Sequence, residues 1–273
     1  MTVDPAHDWQ DRIDQAEKRL GEVETLMETF LADDPYGIVR ETKPQGGNRF
    51  VLIARMTEHK QVPRQVSILL AEIFGHLRSS LDHLMDALAS DPATGDSPAG
   101  TQFPIFLDPP IFHGLDSKGN PKKGSGLYQM RGGAPAVQTL IEGMQPYHRG
   151  AAAASDPLWV LHRFAVIDKH KKPHLTGAVM EGGSIGIKNM WGVDLFLEHW
   201  GFAGPFHKGT QAGRIEFTVT QPDNFVVEMD AKFTYQVAFD PKGPGAGAPV
   251  VSTVQPLIAH LRGVVFPQLE PFV

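Results

Sequence analysis

The chain has 273 residues, of which 41% are hydrophobic and 21% charged, and its formal net charge is −6. This is the balance of a soluble globular protein with a sizeable core, and its sign argues against broad, sequence-blind nucleic-acid binding. Cysteine is absent, which excludes disulfides, thiol catalysis and thiolate-held zinc or iron–sulfur sites. No apolar run approaches the ~20 residues that span a bilayer. The polar, acid-leaning start MTVDPAHDWQDRIDQ is not a secretory signal, so a cytoplasmic location without membrane contact is expected.

In chain order, Trp9, Ile13, Ala16, Leu20, Val23, Met27 and Phe30 recur at alternating steps of four and three, predicting an amphipathic helix from Asp8 to Leu31. A hairpin is expected next, Tyr36–Thr42 against Asn48–Met56, with Lys43 to Gly47 as its loop. Pro63 suits the first position of a second long helix running to Ala89, with a stripe of Val66, Leu70, Ile73, Leu77, Leu81, Leu84 and Leu88. From Ser90 to Gly133 turn signals dominate and only Thr101–Phe106 (TQFPIF) is apolar. The stretch reads as a lid over a site, with disorder as the competing reading for Asp116 to Ser125.

A short helix is expected at Ala136–Met144, then QPYH and a flexible RGAAAASDP. Asp156 and Pro157 open another helix by cap chemistry, with Leu158, Trp159, Leu161, Ala165 and Val166 as its buried face and an end near Lys172–Pro173. From His174 strands take over: Leu175–Met180, Ser184–Lys188, Val193–Glu198, Arg214–Thr220 and Phe225–Phe239, before a helical tail from Val254 to Leu269. The fold class is therefore α+β. A mainly helical region, 1–173, carries the candidate site, and a β-rich region, 174–273, ends in a closing helix, as two regions or as one continuous domain.

The polar residues of the second helix fall on two flanks. At 100° per residue, Glu72, His76, Ser79 and His83 lie within about 60° of one another, while Arg78 and Asp82 occupy the opposite flank at salt-bridge spacing. Arg78 and His83 are about 140° apart.

The pattern of Arg78, four residues, then His83, late in a long helix, resembles the R-x(4–6)-H signature of the HEPN superfamily (higher eukaryote and prokaryote nucleotide-binding). Many members are metal-independent ribonucleases that work as dimers, some in defence or toxin systems. The resemblance implies an RNA- or nucleotide-binding protein, or a ribonuclease, needing no cofactor and working as a homodimer if two copies face each other. In that role Arg78 would stabilise the phosphorane charge and His83 would move the proton of the ribose 2′-hydroxyl. His170, with Lys169 and Lys171 beside it, would contact phosphate. Ser79 stands where the family often has asparagine.

A wider set, LRSSLDHL, FPI, QPY, LWVL and DKH, resembles segments of uncharacterised bacterial proteins of similar length. It brings no activity with it and implies that Arg78, Asp82, His83, Tyr147, Asp168 and His170 meet in one place; beside the catalytic pair, Tyr147 and Asp82 are expected to bind substrate. A different reading takes Glu72, His76, His83, Asp168 and His170 as a His/carboxylate site for iron, manganese or zinc in a hydrolase or oxygenase. A third takes the chain as a non-enzymatic binding or structural module, with the long loop and the sheet edge as its surface.

Overall fold

The computed structural model describes residues 8–168, 175–200, 209–221 and 226–273. The class is α+β, with helices leading, strands following and a helix closing the chain. Helix α1 is Asp8–Ala32 and α2 is Arg64–Ala89, within a residue of their expected bounds. Their predicted stripes are buried from Trp9 to Phe30 and from Val66 to Leu88. Among the described residues no helix is long and apolar enough to cross a membrane.

Two compact units divide the chain, and neither is contiguous: one holds Met1–Glu24, Ser67–Pro173 and Val251–Val273, the other Thr25–Val66 and His174–Val250. The expected division at residue 173 follows chain order. The observed one follows pairing, since β2 (Arg49–Glu58) bonds to β5 (Gln211–Val219), more than 150 positions later.

The second unit contains an antiparallel four-stranded sheet in the order β1 (Tyr36–Gly46), β2, β5, β4 (Val193–Trp200), and an antiparallel pair, β3 (Leu175–Trp191) with β6 (Val226–Phe239). Central β2 buries Val51, Leu52, Ile53 and Ala54 in succession, whereas β5 alternates, burying Ile215, Phe217 and Val219. The hairpin strands run further than expected, with a register shift between Pro44 and Gly46 that leaves only a tight turn at Gly47 and Asn48. Gly47, at φ 56°, supplies a left-handed conformation there. The two strands expected at 175–180 and 184–188 are one. Strand β3 passes its Gly182–Gly183 break by register shifts while staying paired with β6.

The helical unit packs α1, α2, α6 (Pro157–Asp168) and the C-terminal segment. Phe74 of α2 stacks on Phe164 of α6, ring centres 4.2 Å apart and nearly parallel. Such a buried aromatic pair adds about 1 kcal/mol to the burial of its own area. The C-terminal segment is α7 (Val250–His260), a π-helical turn at Leu261–Val265, and α8 (Phe266–Leu269). Polar bonds tie it to α1: Arg262 Nε to Glu17 at 2.7 Å and its Nη2 to Asp14, Gln10 to Glu270 at 2.9 Å, and Gln255 to Glu24 at 3.1 Å.

Two loop expectations change. Within 90–133 there are two four-residue helices, α3 (Pro109–Phe112) and α4 (Gly126–Gln129), and Phe103, Ile105, Phe112 and Met130 are core residues. Residues 116–120 form a closed turn, with Asp116 accepting from the amides of Lys118 and Asn120. The RGAAAAS stretch belongs to a 3₁₀ run, Pro146–Ser155, which follows α5 (Pro135–Gly143) and is kinked at Gly150. The alanines there offer no side chain to compete with backbone turns, so a helical conformation wins over coil.

Candidate functional site

The site is built on α2. Arg78 and Asp82 lie one helical turn apart, and the guanidinium forks onto the carboxylate, Nε to Oδ2 at 3.1 Å and Nη2 to Oδ1 at 2.6 Å. The pair then grips another segment. Arg78 Nη2 donates to the carbonyl of Phe103 at 2.7 Å, and the Phe103 amide donates to Asp82 Oδ1 at 3.0 Å. Both backbone groups of one residue are thus held by one ion pair.

Gln145 does the same for the next residues. Only 1% exposed, it donates to the Pro104 carbonyl at 2.9 Å and accepts from the Phe106 amide at 3.0 Å. Its second donation, to the Ile141 carbonyl at 3.0 Å, anchors it to α5. Gln102 completes the run by donating its amide to the Gln129 carbonyl at 3.1 Å. Among the described residues the stretch Gln102–Phe106 runs beside no strand, and side chains bond both backbone groups of Phe103, the carbonyl of Pro104 and the amide of Phe106. Three of the segments, LRSSLDHL, FPI and QPY, meet here: Arg78, Asp82 and Gln145 are the receptors of Phe103–Phe106.

This clamp floors a cavity of about 400 Å³. Its walls come from Phe103, Ile105, Phe106 and Leu107, from Asp108 and Ile111 at the start of α3, and from Trp159, His162, Ala165 and Val166 of α6. Trp159 and His162, three apart on the helix, stack at 5.3 Å and 24°. Arg78, Gln102, Gln129, Asp108 and His162 give the lining its polar points. Arg78 Nη1 is buried and bonded to nothing among the described residues. Leu107, Ile111 and Val166, all on the lining, are 36%, 55% and 43% exposed.

The other expected site residues are placed as follows. His83 does not line this cavity; its Nδ1 pairs with Asp8 at the start of α1. The expected meeting of Arg78 and His83 within one copy is thus not observed, because the buried stripe of α2 separates their flanks. Glu72 pairs with Arg19 of α1 at 2.9 Å. Burial, helped by the charges of Arg12 and Arg19 and opposed by Glu72, lowers the pKa of His76. Asp168 is the last residue of α6, and Lys169, His170 and Lys171 lie outside the described residues. Among the described residues no group of three or more His, Asp or Glu could hold a metal ion.

Tyr147 belongs to a separate cluster. Its hydroxyl donates to Glu142 Oε1 at 2.7 Å, and His148 Nε2 and His113 Nε2 lie 3.0 and 3.7 Å from the same oxygen. Burial, then the hydrogen bond and charge of Glu142, raise the tyrosine pKa. Burial pushes the Glu142 carboxyl up, but bonds from Tyr147 and His148 and the imidazole charges outweigh it and leave it below its ordinary range.

Sequence reasoning missed Gln145 as a clamp and His162, Asp108, Gln102 and Gln129 as cavity residues. It also assigned Val166 to the buried face, where the structure exposes it. One signal was available. Helix α6 carries apolar residues on more than one face, including Val166 off the Leu158–Leu161–Ala165 stripe, which asks for a second partner beyond the core. No protein-family model, curated protein or solved structure matches the chain.

Proposed function

We propose that the chain is a non-enzymatic binding protein whose ligand is a planar, largely apolar small molecule with a hydrogen-bond acceptor. The observation that carries this reading is the rim. Leu107, Ile111 and Val166 are large, exposed and apolar, and all three border one concavity. Scattered apolar residues are ordinary on a surface, but a group around a cleft marks a binding site. The stacked Trp159 and His162 suit a flat ring. The unbonded Arg78 Nη1 is a desolvated donor, costing about 1–3 kcal/mol, and an acceptor on the ligand would relieve it.

The test is titration with 8-anilino-1-naphthalenesulfonate, followed by fluorescence. The expected result is saturable binding at one site, weakened about tenfold or more in Ile111→Asp and in Val166→Asp, with near-ultraviolet circular dichroism unchanged. Binding that never saturates, or that both variants retain, overturns the reading.

The ribonuclease reading keeps one favourable observation, the presence of Arg78 in a cavity wall. It requires His83 to leave Asp8, while Arg78 could offer Nη1 without leaving Asp82 or Phe103. Cleavage of labelled single-stranded RNA that depends on His83 would replace the binding reading with that one.

A further inference from the structure

A second cavity, of about 300 Å³, shares no lining residue with the first. Thr139, Leu140 and Gly143 of α5 with Met144 just after it form one wall, His260, Val264 and Gln268 another, and Arg149 a third. Two unusual backbone features converge on it. His260 and Val264 lie at and within the π-helical turn Leu261–Val265, a rare widened turn that is frequent at functional sites. Arg149 precedes Gly150, whose φ of 55° and ψ of −122° only glycine adopts readily.

The basic groups here are incompletely used. Arg149 Nε donates to Asp156 Oδ2 at 2.9 Å. Asp156 is buried, and its other oxygen caps α6 by accepting from the Leu158 amide at 2.9 Å. The terminal nitrogens of Arg149 and the ring of His260 make no hydrogen bond among the described residues. Arg149 and Asp156 neutralise each other, so the cavity gains net positive charge when His260 takes a proton.

We propose that this cavity binds a small organic carboxylate, held by the terminal guanidinium nitrogens of Arg149 and the imidazolium of His260, with its hydrocarbon part on Leu140, Met144 and Val264. A guanidinium fork matches a carboxylate, and the volume suits a short acid. The apolar share of the lining favours a carboxylate with an alkyl body over inorganic phosphate.

Protonation accompanies binding. Burial lowers the pKa of His260, and the facing charges, Asp156 and Arg149, act in opposite senses. The lining residues on α5 and α8 carry no charge. His260 is therefore neutral in the free protein at pH 7.5 and takes up a proton as the anion enters.

The test is calorimetric titration of the full chain with sodium hexanoate, with n-hexanol as the neutral comparison. Hexanoate should bind saturably, at least about tenfold more tightly than hexanol. Binding should tighten from pH 8 to pH 6, with proton uptake seen as a buffer-dependent enthalpy. His260→Gln should abolish the proton uptake and weaken binding about tenfold, and Arg149→Gln should weaken it further. If Arg149→Gln fails to fold because Asp156 is left unpaired, His260→Gln decides. Equal binding of hexanol and hexanoate, hexanoate binding unchanged in His260→Gln, or no saturation at millimolar hexanoate overturns the proposal.

Discussion

Two extended segments of this protein satisfy their backbones in opposite ways. Strand β5 lies between β2 and β4, and its amides and carbonyls bond to other backbones on both sides. The stretch Gln102–Phe106 has no strand beside it among the described residues, and Asp82, Arg78 and Gln145 take that place. In the sheet, side chains are free to vary so long as one face stays apolar. In the clamp, particular side chains are obligatory, because each replaces a peptide group. Conspicuous polar residues in a motif can therefore be architecture, and loss of function after changing them is not by itself evidence of catalysis.

The largest expected effect tests the clamp directly. Asp82→Ala leaves Arg78 without its counter-ion and the Phe103 amide without an acceptor, and should cost about 3 kcal/mol in urea unfolding. Arg78→Ala should cost a similar amount, and the double variant clearly less than the sum, since both remove one unit. Arg78→Lys should not restore stability, because an ammonium cannot reproduce the fork onto Asp82 together with the bond to Phe103. An Arg78→Ala protein as stable as the parent would break the comparison and return that residue to the list of catalytic candidates.

Gln145→Ala comes next, at about 2 kcal/mol, from the desolvated Pro104 carbonyl and Phe106 amide it leaves behind. Tyr147→Phe, removing a half-buried hydroxyl from Glu142, should cost about 1 kcal/mol. In the sheet, Thr218→Ala on β5 should stay within about 0.5 kcal/mol, as its backbone pairing is untouched. A sheet residue of this kind costing as much as Gln145 would remove the contrast.

The smallest expected effect is one of pH. His76 has a lowered folded-state pKa, so the unfolded chain binds its proton more readily. That contribution is complete above the unfolded value, about 6.5, and is lost as pH falls through it. The urea midpoint of the parent should drop between pH 7.5 and 5.5, and less so in His76→Gln. An equal drop in both proteins assigns the effect to other groups.

Much of the fold was legible in local pattern. The α1 and α2 stripes, the Pro63 start, the Asp156 cap and the strand at Arg214–Thr220 are all short-range properties of an amphipathic chain. The Arg78–Asp82 pair was legible for the same reason, since both residues sit on one helix at one-turn spacing. What local pattern could not reveal was the target of that pair, because Phe103 lies 21 positions beyond Asp82 with no regular element to predict its path. Gln145 was equally silent, because nothing in QPY says that its amide is buried.

By itself the sequence determined the class of fold, the two long helices with their buried faces, the strands of the second half, and the exclusion of thiol chemistry. Those follow from residue type and period, which act over a few positions. Only the tertiary structure decided that Arg78 and His83 have different partners, that the closing helix joins the front of the chain, and that Leu107, Ile111 and Val166 share one rim. These are meetings of residues far apart in the chain, set by how whole elements pack and by which buried peptide groups still need a partner.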